Sequence, residues 1–139
     1  MDASVFADLI TGSGRADQYR PHAAADPDWA VPEHFTVEVA SVLRGAWLGG
    51  KLGRPAFAEA VGRLAEAPLD VWPVRPLLPR MVELAANATA YDAAYLALAE
   101  RLSVSLLTGG CQTVRCAGGA LLVHRCELTR GVESNVRAE

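Results

Sequence analysis

Short apolar runs alternate with stretches of helical period along this chain, and that alternation limits its fold more than any other feature. The runs are Trp29-Ala-Val31, Leu69 to Val74 and Ser105-Leu-Leu-Thr108. Between them, Glu33 to Leu48 places Phe35, Val39, Val42, Leu43 and Ala46 on one helical face. Pro55 to Ala67 reads as a second helix with proline in its first turn, and Leu77 to about Ala86 as a third. Ala90 to Leu102 is a strong helix introduced by Asn87-Ala-Thr89. Upstream, Ser4 to Thr11 is a short helix stopped by Gly12-Ser-Gly14, and residues 15 to 24 form an imperfect one containing Pro21. Such alternation predicts an α/β fold with a short parallel sheet covered on both faces. Working residues of such sheets gather at the carboxyl ends of strands, and Thr108 stands at one.

A chain of 139 residues is one domain by length. No apolar run approaches the roughly 18 residues that span a bilayer, and no basic-then-apolar export signal opens the chain. The expectation is a cytoplasmic protein with no membrane association. A net charge of −3 does not point to nucleic acid. It does not exclude it, because a bound metal supplies positive charge locally.

Three acids stand where a helix starts or where its apolar face belongs: Asp2, Glu38 and Asp92. Glu38 lies three residues after Phe35 and four before Val42, and Asp92 occupies the first turn of the helix that carries Tyr95 and Leu96. Taken singly, each has an ordinary alternative: Asp92 as a first-turn acid favoured by the helix dipole, Glu38 as a half-exposed boundary residue. Taken together they imply a divalent cation, since carboxylates converge without severe repulsion around Mg²⁺ or Mn²⁺. No Ser-His-Asp or Cys-His arrangement competes. His22 and His34 flank turns and read as surface residues. Arg15, Arg20, Arg44 and Arg54 are candidate phosphate contacts, with solvated surface charge as the alternative.

Asp2-Ala-Ser4, Glu38-Val-Ala-Ser41, Thr89-Ala-Tyr-Asp-Ala-Ala-Tyr95 and Leu106-Leu-Thr108 resemble, in order and spacing, the PIN-domain ribonucleases, and among them the VapC-type toxins of bacterial toxin–antitoxin pairs. The resemblance implies a three-layer α/β/α domain over residues 1–108. It implies Asp2, Glu38 and Asp92 as catalytic residues holding Mg²⁺ (or Mn²⁺), supported by the hydroxyls of Ser4 and Thr108. It implies RNA as substrate, a cognate antitoxin that covers the acidic pocket, and a homodimer.

The resemblance breaks at both ends. The family has an apolar strand before its first aspartate where this chain has only Met1, so the expectation is a late start codon or a truncated gene. The family's fourth aspartate falls at Gly110. Residues 109–139 form an atypical tail that holds all three cysteines, Cys111, Cys116 and Cys126. The codons for Gly109 to Gly118, shifted by one base, are compatible with Ala-Asp-Ala-Arg-Leu-Ser-Gly-Ala-Gln-Gly, the expected ending with its aspartate, so the tail is expected to arise from a frameshift. A zinc site of Cys111, Cys116, His124 and Cys126 is the rival, but its spacing is irregular. A poor strand around Leu121-Leu-Val123 is expected within the tail. The alternative for the whole chain is a degenerate PIN-domain protein, inactive as a nuclease, that retains antitoxin binding or oligomerisation.

Overall fold

The computed structural model describes residues 1–13 and 15–109, together with the backbone of residues 124 and 125. Helix α1 (Ala3–Thr11) is capped by the Asp2 side chain at its start and by Gly12 in the left-handed conformation at its end. Helix α2 (Ala16–Ala25) follows, with Pro21 inside it. Strand β1 (Trp29–Pro32) leads into α3 (Phe35–Leu48) and α4 (Arg54–Glu66), which has proline in its first turn. Strand β2 (Leu69–Trp72) leads through a 3₁₀ turn (Arg75–Leu77) to α5 (Leu78–Leu84). Helix α6 (Ala90–Leu102) precedes β3 (Leu107–Thr108), and β4 (His124–Arg125) lies within the tail.

Both strand pairings among the described residues are parallel, as the alternation of elements predicts. Strands β1 and β2 pair over four residues, Trp29 opposite Leu69 through Pro32 opposite Trp72. Strands β3 and β4 pair over two. The two pairs are separate sheets. Between them lies a cavity of about 390 Å³ whose lining includes Met1, Trp29, Ala30, Val104, Ser105 and Leu107. The backbone N–H of Asp2 donates to the Leu107 carbonyl at 2.9 Å, which ties the start of α1 to β3.

The main core gathers α1, β1, α3, α4 and α6: Phe6, Val31, Phe35, Val39, Leu43, Leu64 and Leu96 pack in one cluster. Phe6 meets Phe35 and Trp29 edge to face, with ring centroids 5.4 and 5.9 Å apart. Helix α1 lies against α2, α3 and α4, whereas α5 packs on α6 and α6 on β1. Arg80 joins α5 to α6, donating from its guanidinium to both carboxylate oxygens of Glu100 at 2.6 and 2.9 Å. Among the described residues, no helix is long and apolar enough to cross a membrane.

Several elements differ from expectation in extent. Strand β2 stops at Trp72 because β1 offers four partners and the next residue, Pro73, has no N–H to give. The helix expected from Leu77 ends at Leu84, and Pro76 shapes a 3₁₀ turn before it. On α3 the buried ridge runs Phe35, Val39, Leu43, and its four-residue spacing leaves Val42 41% exposed. The expected strand at Leu121-Leu-Val123, Gly110, the three cysteines and the proposed frameshift all lie outside the described residues.

Candidate active site

The carboxylate of Asp2 is the best-held group at the site. Its Oδ1 accepts from the Ser4 hydroxyl and from the Val5 backbone N–H, each at 2.9 Å. Its Oδ2 accepts from the Thr108 hydroxyl in a short hydrogen bond and from the Gly109 backbone N–H at 3.3 Å. Asp2 therefore caps α1 and clasps the carboxyl end of β3 at once. Ser4 and Thr108, the hydroxyls that the family resemblance assigns to the first acid, both donate to it. Gly109 leaves no room beside this clasp: a Cβ there would lie 2.7 Å from the Tyr19 hydroxyl and 3.3 Å from Ser4 Oγ.

Glu38 sits in the first turn of α3, just past the carboxyl end of β1, with its side chain 31% exposed. Its Oε2 accepts from the Tyr95 hydroxyl at 2.8 Å. Burial of the ring, then the hydrogen bond to Glu38, then the charges of Glu38 and Asp2 hold the Tyr95 hydroxyl far above its ordinary pKa. Tyr95 thus stays protonated and donates, and its hydroxyl feels both carboxylates. We expect Tyr95→Phe to leave the fold intact, because the ring stays in the core, and to lower unfolding stability by about 1–2 kcal/mol through the lost charged hydrogen bond. Chemical denaturation checks this, and unchanged stability would mean that solvent replaces the phenol at no cost.

Asp92 lies at the start of α6. The Thr89 hydroxyl donates to its Oδ2 at 2.7 Å, and the Asp92 backbone N–H donates back to Thr89 Oγ1 at 3.2 Å. This reciprocal cap explains why the helix begins at Ala90. It also gives Asp92 the ordinary first-turn role that the sequence left open. Its carboxylate is exposed and lies one helical turn before Tyr95.

His34 departs from expectation. The sequence predicts a surface residue, yet its side chain is only 23% exposed and its ring lies 5.4 Å from both Tyr91 and Tyr95, edge to face. Its Nε2 is 3.7 Å from Glu38 Oε2, beyond hydrogen-bonding range, and has no hydrogen-bond partner among the described residues. Sequence reasoning missed both His34 and Tyr95. Spacing offers no signal for a contact between residues 57 positions apart, such as that between Tyr95 and Glu38.

Carboxylate oxygens suit a hard divalent cation in kind. Glu38 accepts from the Tyr95 hydroxyl, which also feels the charge of Asp2, and Asp92 lies one helical turn before Tyr95 on α6. The three do not close on one point: among the described residues, no three His, Cys, Asp or Glu side chains form a group able to hold an ion.

Parallel strands whose carboxyl ends carry a clasped aspartate and a helical glutamate, facing a helix that starts with a third acid, define the class of protein. Residues 1–112 match the PIN domain, and the chain belongs to the PIN-domain family. Within it, the chain is similar to VapC ribonucleases. It is 33% identical to Ribonuclease VapC9 of Mycobacterium tuberculosis over 108 residues, 78% of this chain and 82% of that protein. It is 30% identical to Ribonuclease VapC1 of the same organism over 122 residues, 85% and 90% of the two chains. With Ribonuclease VapC12 of that organism it shares 35% identity over 78 residues, 56% of this chain and only 60% of the relative's length.

Proposed function

We propose that this chain is a metal-dependent endoribonuclease of the VapC toxin class, acting on single-stranded or looped RNA in the cytoplasm. The clasp on Asp2 is the observation that carries the reading. Four donors from two segments of chain fix one carboxylate at the end of β3, with a second acid joined to its neighbourhood through Tyr95. Membership of the family and similarity to ribonucleases supply the reaction class.

In this reading Asp2, Glu38 and Asp92 would hold Mg²⁺ or Mn²⁺. When bound, the ion lowers the pKa of an attacking water and steadies charge on the phosphate. The protein's own groups do the positioning. Ser4 and Thr108 orient Asp2, Tyr95 orients Glu38 with a proton it does not give up, and Thr89 holds Asp92 at the helix start. A cognate antitoxin segment covering this acidic pocket, and a homodimer, complete the proposal.

The test is cleavage of a mixed single-stranded RNA by the full chain with Mg²⁺, with chelator, and with Asp92→Asn. Asparagine keeps the Thr89 cap and removes only the charge. We expect cleavage that chelator abolishes and that Asp92→Asn reduces about 100-fold or more, the scale of losing one preorganised charge-stabilising group. A folded chain with no Mg²⁺-dependent cleavage would favour instead a degenerate relative that only binds its partner.

A further inference from the structure

Tyr91 is the one aromatic ring among the large apolar side chains left exposed in the described residues, at 61%. It stands immediately before Asp92 and one helical turn before Tyr95, on the same stripe of α6. Its ring has a packing partner. His34 packs edge to face against it and, in the same manner, against Tyr95, so the three rings form a chain that ends at the Glu38 carboxylate. His34 Nε2 has no hydrogen-bond partner among the described residues and lies 3.7 Å from Glu38 Oε2, while the imidazole ring packs against both tyrosines.

An exposed aromatic next to Asp92 and linked through His34 to Glu38 suits one task better than others. These carboxylates repel a polyanion, so a substrate strand needs attraction that does not depend on protein cations. A nucleobase stacked on an aromatic face supplies it, because every base has a π-face and the contact carries no charge penalty. We propose that Tyr91, braced by His34, is the stacking platform for a nucleobase of single-stranded RNA next to the scissile phosphate, and so a substrate-positioning residue. This rests on the ribonuclease reading for the identity of the ligand.

The probe is a short single-stranded oligoribonucleotide carrying 2-aminopurine, titrated with the full chain in chelator so that no turnover occurs. Stacking quenches its fluorescence. We expect quenching with the unaltered chain and with Tyr91→Phe, and its loss with Tyr91→Ala and Tyr91→Leu, together with about tenfold weaker binding by anisotropy. Circular dichroism shows whether each variant is folded, and the exposure of Tyr91 predicts that it is. Equal quenching and affinity in Tyr91→Ala and the unaltered chain overturns the proposal. So does a loss in Tyr91→Ala that Tyr91→Leu restores, since bulk alone would then suffice. The two readings fail separately. Quenching that depends on Tyr91 in a chain without Mg²⁺-dependent cleavage removes the nuclease and keeps the platform. Cleavage with an unchanged KM in Tyr91→Ala keeps the nuclease and removes the platform.

Discussion

Asp2→Ala is expected to abolish RNA cleavage and to lower unfolding stability by about 2–3 kcal/mol. Both effects come from one carboxylate. Alanine removes the cap of α1 and leaves the Ser4 and Thr108 hydroxyls and the Val5 and Gly109 amides without their acceptor. Part-buried donors regain some solvent, which keeps the stability loss below the sum of four hydrogen bonds. Asp2→Asn separates the roles. Its carbonyl can still accept from Ser4 and Val5, but its amide then faces the Gly109 N–H, donor against donor. We expect Asn to cost about 1–2 kcal/mol of stability and nearly all activity. Denaturation curves and initial cleavage rates measured side by side check this. An Asn variant with full activity would show that the charge of Asp2 is not used.

The largest loss of stability is expected from Phe35→Ala, about 3–5 kcal/mol. Phe35 is fully buried at the first turn of α3, against Phe6 of α1, and shares the main cluster with Val31 and Val39. Its removal leaves a cavity where α1, β1 and α3 meet, and rigid neighbours close such a gap only in part. Because α3 also carries Glu38, loosening its first turn should reduce activity as well. Val42→Ala is the matched control on the same helix: its side chain is 41% exposed, so its change should stay within about 0.5 kcal/mol. Equal effects at the two positions would place the core elsewhere.

What the sequence made legible follows from the range of the physics involved. Helix α6 has the predicted bounds because its signals are local: Thr89 caps it and Ser103 ends it in a left-handed turn. Strand lengths are set by partners rather than by the strand itself, so Leu69 to Val74 shrank to what β1 can pair. Ser4 and Thr108 were readable as supports for Asp2 only through resemblance, since Thr108 and Asp2 stand 106 positions apart. Tyr95 looked like one more apolar residue on a buried stripe, and nothing in its neighbours signals that its hydroxyl meets Glu38. His34 looked like a turn residue for the same reason.

The central proposal is that Asp2, Glu38 and Asp92, which do not close on one point among the described residues, together bind one divalent cation. Electron paramagnetic resonance of Mn²⁺ titrated into the full chain tests it without relying on activity. We predict a bound Mn²⁺ population that Mg²⁺ displaces and that either Glu38→Gln or Asp92→Asn removes. No bound Mn²⁺ in the folded chain, or binding that survives both substitutions, would contradict the account.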